Sequence, residues 1–136
     1  QDYPEKDAKA AIQLQQIFYR MTKYFIENFN TANFLTEALY HSKAASYFTN
    51  YRVQHFIFVR TLIEQAQREG DICSDMNSYE IYTTLQSILT QPIIIKNNIL
   101  QQHKNEPLMD KLKLIDVSSG SSLQKRLRVA FKGLRP

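Results

Sequence analysis

Apolar residues recur along this chain at intervals of three and four, with polar residues filling the gaps. Leu14, Ile17, Phe18, Met21, Tyr24 and Phe25 keep that rhythm, with Gln15, Arg20, Lys23 and Glu27 between them, which predicts an amphipathic helix over 5–28. Pro4 suits a first helical turn, and Glu5 and Asp7 favour the positive end of the helix dipole. Asn28, Phe29 and Asn30 interrupt the pattern, because Asn competes for backbone hydrogen bonds and tolerates turns. Thr31 can then cap a second helix reaching Phe48, with Phe34, Leu35, Ala38, Leu39, Ala45 and Phe48 on one side. A third helix over 50–69 places Val53, Phe56, Ile57, Ile63 and Ala66 on a stripe that Phe58, Val59 and Leu62 widen. So broad an apolar surface predicts a central helix touched on several sides.

That helix runs into "REGDICSD", residues 68–75. Gly70 stands where a helix end wants a left-handed residue, and Ile72 is placed to fold back onto the last turn. Asp75 or Ser78 can cap a fourth helix over 78–99, which carries Ile81, Tyr82, Leu85, Ile88, Leu89, Ile95 and Ile99. Pro92 inside it predicts a kink or break. Residues 101–106 read as loop, Pro107 can open a short helix through Leu112 and Ile115, and "SSGSS" at 118–122 reads as a flexible joint with a Ser cap. The last helix holds Leu123, Leu127, Ala130, Phe131 and Leu134, with Gly133 as its cap. The fold class is therefore all-α, an antiparallel helical bundle of about five or six helices.

Composition narrows the class further. With 136 residues the chain has the size of one domain, spanning 1–136. Three glycines and four prolines leave little turn chemistry for a many-stranded sheet. The net charge of +4 is modest and its cations are spread until residue 125, unlike the concentrated charge of a nucleic-acid binder. No stretch approaches the roughly 20 apolar residues needed to span a bilayer, so no membrane partner is expected. The single Cys73 excludes an intramolecular disulfide and suits a reducing, cytoplasmic setting.

Catalytic chemistry finds no footing. His41, His55 and His103 lie far apart and lack the i, i+4 pairing of a helical metal site, so no metal, cofactor or enzyme activity is expected. Cys73 has no CxxC partner and reads as a small hydrophobe. Eight Phe and eight Tyr say more. Core packing is the simplest reading of each ring, but a pocket between helices needs such a lining with a few polar tips. Phe18, Met21, Phe25, His55, Phe58 and Tyr82 form the candidate ligand set. The closing "LQKRLRVAFKGLRP" combines an apolar stripe with Lys125, Arg126, Arg128, Lys132 and Arg135, a basic amphipathic pattern that helix-end electrostatics also explains.

The stretch "LIEQAQREGDICSDMNSYEIYTTLQSILT", 62–90, resembles the ligand-binding domain of tetracycline-repressor-like (TetR) transcriptional regulators. In that family a long helix ends in a Gly-x-Ile turn, matched by Gly70 and Ile72, followed by an acidic residue, Asp75, and a helix of the dimer interface. "FIENFNTANFL", 25–35, and the ending "VAFKGLRP", 129–136, are similar to recurring family phrases. Pro92 with Ile93-Ile94-Ile95, and the long polar stretch over 100–120, depart from the family pattern.

The resemblance implies an effector-sensing domain that forms a homodimer and takes a small, largely apolar molecule. Operator DNA would be reached only through a helix-turn-helix head, which the chain, opening at Gln1 on a helix like those of the sensing domain, is expected to lack. Leu85, Ile88, Leu89, Leu127, Ala130 and Phe131 are the residues expected at the dimer interface. Two rivals stand beside this reading. One is a free-standing helical adaptor that binds a partner helix; the other is a small helical enzyme or haem protein built on His41 or His55.

Overall fold

Five helices order the residues that the computed structural model describes, 7–28 and 42–136. They are α1 (Ala10–Asn28), α2 (Ser42–Arg68), α3 (Ser78–Gln102), α4 (Leu108–Lys113) and α5 (Gly120–Gly133), with no strand among those residues. Helix α1 starts at Ala10 rather than at residue 5. Asp7 is exposed outside it, and Pro4 and Glu5 lie outside the described residues. Its positive end is met from another element instead: the Ala10 amide donates to Glu69 Oε1 at 3.3 Å.

Where the sequence pattern predicts a boundary near residues 48–50, α2 runs through without interruption. An Asn inside a helix costs less than about 0.7 kcal/mol relative to Ala, too little to stop a helix that tertiary packing supports. The predicted stretch over 31–41, with Thr31, Phe34, Leu35, Ala38 and Leu39, lies outside the described residues. Among the described helices, α3 packs against α1, α2, α4 and α5, and α2 packs against α1 and α3. Leu14, Ile17 and Phe18 of α1, Val59, Ile63 and Ala66 of α2, Ile81, Leu85 and Leu89 of α3, and Leu123 and Leu127 of α5 form one core. Val53, Ile57 and Phe58 are exposed, so the wide stripe on α2 is buried along one side only.

The corner between α2 and α3 forms as its glycine demands. Gly70 has φ 80°. Its amide donates to the Gln67 carbonyl at 3.1 Å, and the Asp71 amide donates to the Ala66 carbonyl at 3.0 Å. This crossed pair closes a helix end around a left-handed residue. Ile72 then turns inward and is fully buried, which contributes about 2 kcal/mol. The Gln67 amide bridges the carbonyls of Cys73 and Met76 at 3.0 and 2.7 Å. Neither Asp75 nor Ser78 caps α3. Asn77 does, in a reciprocal box with Glu80: the Glu80 amide donates to Asn77 Oδ1 at 2.9 Å and the Asn77 amide to Glu80 Oε1 at 3.1 Å.

Pro92 does not break α3, which continues to Gln102. Proline removes the amide that would serve the Ile88 carbonyl. Support arrives from α5, where the Arg126 guanidinium donates to the next carbonyl, Leu89, at 2.8 Å, while Ile93 and Ile94 are buried. The same guanidinium reaches the Val117 carbonyl at 2.7 Å and Ser122 Oγ at 2.8 Å. Its neighbour Asp116 gathers the amides of Ser118 and Ser119 at 3.2 and 3.0 Å. "SSGSS" is thus a hydrogen-bonded turn rather than a loose joint. Ser119 caps α5, and Gly120 lies so close under Tyr19 that a Cβ there would stand 2.6 Å from the phenolic oxygen. At the other end Gly133 remains helical, and the Leu134 amide closes on the Ala130 carbonyl at 3.0 Å.

Candidate functional site

Three of the six residues predicted to line a ligand site meet in the structure. Phe18 of α1, His55 of α2 and Tyr82 of α3 are all buried, with ring centroids 5.4 Å (Phe18–His55), 5.9 Å (Phe18–Tyr82) and 5.4 Å (His55–Tyr82) apart. Each helix delivers its ring from the core-facing stripe, so the trio sits at the junction of α1, α2 and α3. His55 Nδ1 lies 3.1 Å from the Tyr82 hydroxyl, one shared hydrogen bond whose direction follows the imidazole tautomer. Burial pulls the His55 pKa down from 6.5 to about 4, so the ring is neutral near pH 7. Met21 packs at the edge of this core. Phe58 does not join it: 62% exposed, it points away from the trio. Phe25 lies outside the residues whose side chains are described.

Tyr82 also forms the inner wall of a cleft of about 230 Å³ between α2 and α3, lined in addition by Val53, Phe56, Tyr79, Thr83, Gln86 and Ser87. Phe56 stands edge-on to both Tyr79 and Tyr82, at 5.7 and 5.3 Å. None of the described side chains of the lining is charged. The Thr83 hydroxyl is turned back to the Tyr79 and Glu80 carbonyls, both at 3.1 Å. Such a lining suits a neutral, flat, mostly apolar molecule with one or two hydrogen-bonding groups. The sequence reading left Val53 and Phe56 of α2 out of the ligand set, and missed Tyr79, Thr83, Gln86 and Ser87 of α3. These last four share one face of α3 with Tyr82 at helical spacing, and that face was the signal available.

Of the six residues expected at a dimer interface, five are already covered inside the subunit. Leu85, Leu89, Leu127, Ala130 and Phe131 are buried within the subunit, where α5 packs on α3. Ile88 alone remains partly accessible. The physical reason is that α5 offers its apolar stripe to α3 of its own chain first. What remains outside is a second stripe on α3. Ile88, Pro92, Ile95 and Ile99 recur at spacings of four, three and four. Ile95 is 50% exposed, and Val129 of α5 is 71% exposed. Ile88, Pro92 and Val129, with Gln91 and Lys125, line a depression of about 600 Å³.

Other candidate chemistry is quiet. His103 is exposed and meets Glu106 at 3.3 Å, and His41 lies outside the described residues. Among those residues no cluster of three His, Cys, Asp or Glu side chains is placed to hold a metal ion. A hydrogen bond with Asp75, and burial, push the Cys73 thiol above its ordinary pKa, which disfavours the nucleophilic thiolate. No described helix is long and apolar enough to cross a membrane. No protein-family model, curated protein or solved structure matches the chain.

Proposed function

We propose that this chain is the effector-sensing and dimerisation unit of a TetR-like transcriptional regulator. It acts on operator DNA through a helix-turn-helix head outside this sequence, in a cytoplasmic setting. The observation that carries the reading is the second apolar stripe of α3. Ile88, Pro92, Ile95 and Ile99 have the four-three spacing of a helix-packing face, and their own subunit leaves them half covered. A second copy presenting the same face would cover both.

The cleft beside Tyr82 supplies the sensing half. A neutral, largely apolar effector there touches α2 and α3 together, and α3 also carries the outer stripe. An effector that fits one α3 placement better than another therefore shifts the equilibrium between two dimer arrangements, and with it the spacing of two DNA-reading heads. Equal affinity for both arrangements would shift nothing.

Sedimentation analysis tests the proposal. The protein is expected as a dimer, and the Ile95→Asp/Val129→Asp double variant as a monomer with unchanged helix content. A wild-type monomer would remove the dimer and favour the alternative of a helical adaptor, which uses the same groove for a partner's helix.

A further inference from the structure

The end of the molecule where α1 begins and α5 finishes carries a charge imbalance that the regulatory reading does not use. No Asp or Glu follows Asp116 in the sequence. Arg128 and Lys132 lie four apart on one face of α5, Arg135 follows just past its end, and all three are exposed. None of the three forms an ion pair among the described residues. Lys9 stands at the same groove, but its charge is met by Asp71, with Nζ and Oδ2 4.0 Å apart.

Helix-end electrostatics accounts for only part of this. The dipole of α5 favours cations in its last turn, which holds Lys132 alone. Arg128 sits a turn earlier, Arg135 beyond the helix, and like charges four apart on a helix repel. The three cations rim a groove of about 540 Å³, within the range of roughly 300–1,000 Å³ typical of small-molecule sites. Its floor is apolar: Ala11 and Phe131 are nearly buried there, and Ile12 stands 45% exposed along the wall.

We infer that this groove binds an amphiphilic organic anion, its oxyanion head held by Arg128, Lys132 and Arg135 and its apolar body laid along Ile12 and Phe131. The guanidinium forks match a carboxylate, sulfonate or phosphate in two-point contact, and the anion relieves the repulsion along the helix. The site lies on α1 and α5, apart from the cleft between α2 and α3, so its fate and that of the proposed effector cleft are separable.

Anilinonaphthalene sulfonate, an anionic apolar probe that fluoresces when bound, tests the inference in a titration of the full chain. The Arg128→Gln/Lys132→Gln variant is expected to weaken binding by about tenfold or more, because two of three head contacts are lost. Ile12→Glu, which puts a carboxylate into the wall at an exposed position, is expected to do the same. Lys104→Gln/Lys111→Gln removes equal charge at exposed sites elsewhere, and should change binding by less than about twofold, the effect of screened distant charge. No binding by the wild type, no loss in the groove variants, or equal loss in the control overturns the inference. Displacement of the probe by duplex DNA but not by octanesulfonate also overturns it, in favour of a nucleic-acid backbone.

Discussion

The inner stripe of α3, Ile81, Leu85 and Leu89, is buried among α1, α2 and α5, while its outer stripe, Ile88, Pro92, Ile95 and Ile99, is only half covered. Both stripes are built from the same kinds of residue at the same helical spacing. What separates them is the neighbour each one meets. The inner stripe finds α5 in its own chain, and with it Arg126, the guanidinium that props the Leu89 carbonyl. Beside the outer stripe, Val129 of α5 stays 71% exposed. An apolar face on a helix therefore states that it needs covering, and leaves open whether the cover comes from the same chain.

Substitutions can break or sharpen this contrast, and the largest effect belongs to the inner stripe. Leu89→Asp buries a carboxylate without a partner and is expected to cost more than about 4 kcal/mol, enough to abolish the cooperative urea transition followed by circular dichroism. A variant that stays folded but loses the proposed dimer would restore Leu89 to the interface and erase the distinction.

Acid should act next, again from the inner side. The folded His55 pKa is lowered to about 4 against an ordinary 6.5. Above pH 6.5 both folded and unfolded states hold the ring neutral, and stability is at its full value. Between pH 6.5 and about 4 only the unfolded state takes up the proton, so stability falls, by about 3 kcal/mol in all, and then levels. Urea midpoints measured across that window in wild type and His55→Phe would show it; parallel curves would place the ring in water.

Arg126→Met comes third, with a loss of about 2 kcal/mol from the charged hydrogen bonds to the Leu89 and Val117 carbonyls. If Arg126 supports the proline-weakened ladder, the loss should be smaller in a Pro92→Ala background. An identical loss in both backgrounds would mean the two residues act independently. The smallest effect on the fold is expected from Ile95→Asp on the outer stripe, within about 0.5 kcal/mol of wild type for the isolated subunit. If the proposed dimer forms through this stripe, the sedimenting mass should nevertheless fall. A clear drop in subunit stability would show that the outer stripe is already packed.

Much of this architecture was legible in the spacing of residues. Most of the helices, the Gly70 turn and the burial of Ile72 follow from local rules, because each depends on residues within a turn or two of one another. The Asn77–Glu80 box was equally legible, but Asp75 and Ser78 on either side offered competing caps. What spacing did not reveal was partnership. Leu127 and Phe131 read equally well as an interface or as a core, since both demand the same apolar face. Phe18, His55 and Tyr82 meet where the buried faces of α1, α2 and α3 converge. Phe58 sits at the edge of a broad stripe, where a neighbouring helix, not periodicity, decides what is covered.

The corner after α2 has one more consequence, for how the protein breathes. The Gly70 amide is bonded to Gln67, three residues back, and can be released by fraying of the last turn alone. The Cys73 amide, almost adjacent, is bonded at 2.7 Å to the carbonyl of Leu134, at the far end of α5. Releasing it means lifting the end of α5 from the corner. In hydrogen exchange the two amides should therefore report different events: Gly70 the opening of a single turn, Cys73 the detachment of the end of α5 from the corner.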